Sequence, residues 1–296
     1  MSYIQDLKNV FIEKNRGIAQ VIVVNVAVFL TTGIISVLFI LFNKPLGSSD
    51  YIQNMLGVPA DITRLMYRPY SLFTYMFVHA GIWHLAVNML WLNWIGSILV
   101  DLVGSKKVVA CYILGGLFAS LIFIAAYNVF PLFATVKGSA FLVGASGSVL
   151  AVVLAAATLT PDFSLRLLLF GDVKLKYLAL VAVLLDVLQI AGSNAGGHLA
   201  HLGGAAFGFA YIRLMQQGYD LSHWVYVPVE YVKSLFAPKK MSYTVSKPQN
   251  MAAKPQPEQL NNQQQIDEIL DKISAQGYEN LSSAEKEKLF RLSNKN

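Results

Sequence analysis

A serine among small residues, Gly144-Ala-Ser146-Gly147, and a histidine among glycines, Ala200-His201-Leu-Gly-Gly204-Ala-Ala-Phe-Gly208, stand in stretches of the chain almost free of charge. A serine hydroxyl is a weak nucleophile until a base accepts its proton, and a histidine of near-neutral pKa can do that and later protonate a leaving amine. The pair predicts a Ser146–His201 dyad for acyl transfer to water, with no acid needed to complete it. His84 and Asn88 are four residues apart and point to one side of a helix. With the Ser146 backbone N–H, they offer donors to the oxyanion of a tetrahedral intermediate. Each signal has a plainer reading alone: small residues also serve helix packing, and a membrane histidine also serves proton relays. The combination points to a protease-like site.

The solvent for these residues follows from composition. Of 296 residues, 55% are hydrophobic and only 14% are charged, well outside the range of soluble domains and typical of a bilayer protein. Asp, Glu, Lys and Arg are missing from 17–43, 69–100, 108–136 and 138–161, and 177–212 is broken only by Asp186. A spanning helix needs about 20 apolar residues. The last stretch holds two, separated by the helix-breaking run Gly192-Ser-Asn-Ala-Gly-Gly197. The prediction is an all-α polytopic bundle of six spans, near 19–42, 84–103, 107–129, 146–161, 175–191 and 198–216. The first is too long for a cleaved signal peptide and lacks a small-residue cleavage site. Lys8, Lys14, Arg16, Lys106, Lys107, Arg166, Lys174, Lys176 and Arg213 then fall on one side, which the positive-inside rule makes cytoplasmic along with both termini.

This topology starts every even-numbered span from the non-cytoplasmic face, so Ser146, His201, His84 and Asn88 share one depth. Gly204 and Gly208 ride the His201 face, and opposite Gly147, Ala151 and Ala155 they let two backbones approach closely. His198, three residues before His201, competes as base. The downstream glycines favour His201 and leave His198 closer to water. Asp186 reads as a structural hydrogen bond to a neighbouring helix, or else as a group for gating or histidine polarisation.

Outside the membrane domain of 19–216, residues 1–18 form a cytoplasmic N-terminus and the aromatic 43–83 loop lies in the interface. Residues 217–265 read as an interfacial segment and flexible linker, and 266–296 as a small cytoplasmic helical hairpin. Gly277 stops its first helix, and Ser282-Ser-Ala-Glu285 forms a capping box for the second. The lone Cys111 excludes an intrachain disulfide.

His84-x-x-x-Asn88, Gly144-Ala-Ser146-Gly147 and Ala200-His201-x-x-Gly204-x-x-x-Gly208, in this order on these spans, make the chain resemble the rhomboid intramembrane serine proteases over 19–216. The resemblance implies Ser146 as nucleophile, His201 as general base, and His84 and Asn88 at the oxyanion. Single-span membrane proteins, cut near the non-cytoplasmic face beside small residues, are the implied substrates. The tail resembles that of some bacterial members, implying a bacterial inner membrane. Two positions depart from the family. Tyr70 and Ser71 stand where many members have Trp-Arg in the first loop, and Leu150 stands where many pack a tyrosine on the catalytic imidazole. Another aromatic, or His198, is therefore expected to help orient His201.

No metal or cofactor is implied. A zinc protease would need His-Glu-x-x-His and an aspartyl one two membrane aspartates, and the chain has neither. No nucleic-acid motif accompanies the net charge of +6. The partners expected are transmembrane substrates and the lipid bilayer. The competing class is a catalytically inactive membrane-protein binding or quality-control factor, which would generally lack the Ser or His.

Overall fold

The structure, a computed structural model, describes residues 17–42, 49–167, 171–192, 194–236 and 257–293. The chain divides into two compact units, Met1–Phe236 and Ala237–Asn296. In the first, six helices form the bundle: α1 Gly17–Leu41, α5 Ile82–Val103, α6 Ser105–Val129, α7 Ser146–Leu159, α8 Leu175–Gln189 and α9 Ala195–Gln216. Between α1 and α5 run α2 Ser49–Leu56, β1 Val58–Pro59, α3 Ile62–Tyr67 and the short turn α4 Ser71–Thr74. The protein is all-α in character, relieved among the described residues by two small two-stranded antiparallel sheets. One pairs β1 with β2 Phe141–Leu142, and the other pairs β3 Ser164–Leu167 with β4 Gly171–Lys174.

Helices α1, α5 and α6 are long and apolar enough to cross a membrane. Their outward faces carry exposed apolar side chains such as Leu30, Ile34, Ile40, Leu90 and Leu121. Water would oppose that exposure; lipid does not. Helix α7 differs, since it is apolar and small-residued all round and has Gly147, Ser148, Ala151, Val152, Ala155 and Ala156 buried. It is the central helix, packed on by α5, α6, α8 and α9. Its 14 residues span only about 21 Å at the usual rise, against a hydrocarbon core of roughly 30 Å. A helix that short cannot cover the whole hydrocarbon core, and its first residue is Ser146.

Glycine makes the close packing possible. A Cβ on Gly204 would collide with the Gly147 carbonyl oxygen, and one on Gly208 with that of Ala151. Two consecutive contacts of helix backbone on helix backbone thus fix the register of α9 on α7. Gly104, at φ 85° between α5 and α6, turns the chain through a single residue in the left-handed region.

The loop between α1 and α5 is tied to the segment that precedes Ser146. Val58 pairs with Leu142 and Pro59 with Phe141. Arg64 donates to the Gly138 carbonyl at 2.6 Å and Asn128 to that of Ala60 at 2.9 Å. Beneath it, Tyr112 donates to the Met76 carbonyl (2.9 Å) and Tyr75 to that of Gly116 (2.6 Å). These bonds do the anchoring, while the hydroxyls of Tyr70 and Ser71 donate within the loop, to the carbonyls of Met55 and Arg68.

The segment 217–265, read above as interfacial and flexible, is helical at both described ends: α10 is His223–Phe236, and α11 Pro257–Gln276 starts nine residues ahead of Ile266. Its Gln- and Asn-rich start lacks an apolar stripe, but its four glutamines are good helix formers, and proline suits a first turn. Helix α12 Ser283–Ser293 follows Gly277 at φ 79°, with the Ser282 N–H bonded to Glu285 at 3.0 Å. Residues 1–16 of the expected N-terminus and 237–256 of the linker lie outside the described residues.

Candidate active site

Ser146 opens α7 immediately after an irregular turn. Gly144 holds φ at 121°, a conformation L side chains rarely adopt, and its N–H donates to the Tyr75 carbonyl at 3.0 Å. A Cβ there would sit 2.6 Å from Cε1 and 2.9 Å from Nε2 of His84. The His84 ring therefore lies directly on the Gly144 backbone, where only glycine leaves room. As the first helical residue, Ser146 also points its N–H away from any intrahelical acceptor, at the positive end of the helix dipole.

Across from it, His201 Nε2 lies 2.6 Å from Ser146 Oγ, and His201 Nδ1 lies 2.8 Å from Oδ1 of Asp186 on α8. A carboxylate only accepts, so Nδ1 carries the hydrogen and Nε2 is left to accept the serine proton. The spacing of 55 residues between Ser146 and His201 is closed by the backbone contact of Gly204 with Gly147, one turn deeper. Asn88, on α5, donates its amide to the His84 carbonyl at 2.7 Å and lines a cavity of about 140 Å³ together with Ser146, His201 and Asp186. Val87 and Trp91 of α5 form one wall, and Leu150, Val153 and Ala182 others.

The geometry brings together the residues singled out in the sequence and revises two readings. Asp186 is the group on the outer nitrogen of His201, as its histidine-polarising reading anticipated, so an acid stands beside the pair that was read as needing none; His198 is edge-on to His201 with centroids 5.8 Å apart. Leu150, at the position where many members have a tyrosine, lines the cavity. His198 does not stand closer to water: its side chain is 15% exposed against 24% for His201, and its Nδ1 lies 2.7 Å from the same Asp186 oxygen.

His79 is the residue that sequence reasoning passed over, naming it only as a landmark of the first loop. It is buried, stands edge-on to His84 with centroids 5.1 Å apart, and accepts from the Ala145 N–H at 3.4 Å through Nε2. A second histidine five residues before His84, outside any apolar periodicity, was the available signal. Burial chiefly, and His84 beside it, push its imidazole down to about 4. The unfolded chain takes up this proton near 6.5, the folded one only near 4. Stability from this residue is thus complete above pH 6.5 and is lost as pH falls toward 4, by up to about 3 kcal/mol. The drop in thermal midpoint between pH 7.5 and 5 should be smaller in His79→Gln, which does not titrate. Equal drops in both proteins would refute this.

The family model for the Rhomboid domain matches residues 66–218, which contain all of these side chains. A second model, for a family of unknown function (DUF6576), matches residues 254–295 of the tail. Among curated proteins, the chain is 32% identical over 193 residues to presenilin-associated rhomboid-like protein A, mitochondrial, of Danio rerio, covering 61% of this chain and 46% of that one. It is 29% identical over 187 residues to the Mus musculus presenilin-associated rhomboid-like protein and 28% over 187 to the human one, covering 61% of this chain and 47% of each. The matched region thus spans just under half of these relatives. All three names carry the word mitochondrial, so they lend no support to the bacterial inner membrane expected from the tail; an integral membrane protein is what stands. With the Rhomboid domain matched over just over half of its length, the chain belongs to the rhomboid family.

Proposed function

We propose that this protein is an intramembrane serine endopeptidase in which Ser146 and His201 cut membrane-anchored substrates. The observation that carries this reading is the 2.6 Å contact between Ser146 Oγ and a His201 ring whose other nitrogen is held by Asp186. The rhomboid family is generally one of intramembrane serine proteases, which agrees with it.

An extended substrate segment enters the cavity between α5 and α8. Ser146 Oγ attacks its carbonyl carbon while the hydroxyl proton passes to His201 Nε2. The oxyanion meets the Ser146 N–H, with the Asn88 amide and the His84 ring as further donors. Collapse breaks the C–N bond, and His201 returns the proton to the leaving amine. Water, deprotonated by the same nitrogen, then attacks the acyl ester and frees Ser146. Asp186 keeps His201 in the accepting tautomer and stabilises the imidazolium formed in each half-reaction.

Detergent-solubilised protein is expected to take up one fluorophosphonate per chain, with the adduct on Ser146 by peptide mass spectrometry. It should also cleave a single-span reporter. A folded protein that neither labels at Ser146 nor cleaves would point to the binding-factor class.

A further inference from the structure

The mechanism needs one histidine on Asp186, yet two share its Oδ1: His201 at 2.8 Å and His198 at 2.7 Å, each through Nδ1. The second contact is redundant for proton transfer and draws on the charge that steadies His201. We propose that Asp186, His198 and His201 together bind a borderline divalent transition metal of the zinc class, and that the bound ion holds the protease off.

The three ligand atoms lie within 4.8 Å of one another. His198 and His201 are three residues apart on α9, so they share a face, and their rings stand 5.8 Å apart at 89° to each other. Two Nδ1 atoms therefore approach one point from different planes, with the carboxylate of α8 as the third side of the triangle. An N, N, O set suits Zn²⁺ and Co²⁺, and leaves a fourth position for water. Bonds of about 2.0–2.2 Å put tetrahedral ligands a little over 3 Å apart, so each nitrogen must retreat from the oxygen by roughly half an ångström. The side chains are 11–24% exposed, and Asp186 and His201 line the cavity beside Ser146.

Coordination through Nδ1 moves the hydrogen of each neutral ring to Nε2. No proton is released, and nothing is oxidised or reduced. On His201 this leaves an N–H pointing at Ser146 Oγ, where catalysis requires an acceptor. An occupied site is therefore incompatible with the base role, and the inhibition rests on the proteolytic reading above, whereas the binding does not.

The test separates the two. Chelator-stripped Ser146→Ala protein, which retains all three ligands, is titrated with Co²⁺ followed by its visible absorption and with Zn²⁺ by competition. One ion per chain is expected, with affinity falling about tenfold or more when His198→Ala or His198→Gln is added. In protein with Ser146 intact, Zn²⁺ should suppress reporter cleavage and EDTA restore it, and the half-inhibiting concentration should rise to the same degree in the His198 variants, each measured against its own metal-free rate. Absence of stoichiometric binding, or binding that both His198 replacements leave unchanged, would overturn the metal site while leaving the protease reading intact. Stoichiometric, His198-dependent binding in a chain that never cleaves would support the site and sink the protease reading.

Discussion

Replacing Ser146 with alanine is expected to lower kcat for a single-span reporter at least about 10⁴-fold, with KM little changed. The Oγ is the only atom removed, and the cavity that receives the substrate keeps Val87, Trp91 and Leu150 on its walls. His201→Ala should cost about as much, and the double variant no more than either single one, because nucleophile and base act as a unit. Strictly additive losses would contradict a shared step. Initial rates across substrate concentration in detergent give kcat and KM separately, and equal thermal midpoints exclude unfolding as the cause. Full cleavage by Ser146→Ala would end the assignment outright.

The second large effect belongs to Asp186. Without its carboxylate nothing fixes the hydrogen of His201 on Nδ1, so a fraction of the rings presents an N–H to Ser146, and the imidazolium formed during attack loses its counter-charge. Asp186→Ala is expected to reduce kcat by roughly 10²–10⁴-fold, again with KM near its original value. Asp186→Asn should fall between, since its oxygen can still accept from both histidines but carries no charge. On the proposed mechanism Asp186 is a positioning residue, and the split between kcat, KM and stability distinguishes this from a merely structural bond. Asp186→Asn should lose kcat at an unchanged KM and thermal midpoint, a pattern that a structural role would not produce. A fall in thermal midpoint with kcat unchanged in the protein that remains folded would assign the residue to packing.

Much of the fold was legible because a bilayer imposes so few choices. Charge-free stretches of about twenty residues had to be helices, and their ends agree within a few residues with Gly17–Leu41, Ile82–Val103 and Ser105–Val129. Helix α9 was legible for a different reason. Its glycines were too many to be incidental in an apolar helix, and at two of them, Gly204 and Gly208, a Cβ would be blocked by the backbone of α7. The loop between α1 and α5 was less readable. Its short helices and the two-residue strand β1 depend on partners at Gly138, Ala140 and Phe141, far along the chain, and no local periodicity records such pairing.

The site divided in the same way. Residue type and depth singled out Ser146, His201, His84 and Asn88 as candidates, since polar groups are costly inside a membrane and the topology read from the sequence puts all four at one level. His79 could not be ranked, because its value lies in an acceptor presented to the Ala145 N–H and an edge presented to His84, both made across the fold.

The sequence by itself determined that this chain is a helical membrane protein and which serine and histidine could react, since solvent and residue chemistry are properties of composition and spacing. Only the tertiary structure decided what holds His201. Leu150 had left that role open, and the rotation of α8 against α9 aims the Asp186 carboxylate at two histidines at once. Helix rotation is set by the packing of whole faces, which no single residue's identity encodes.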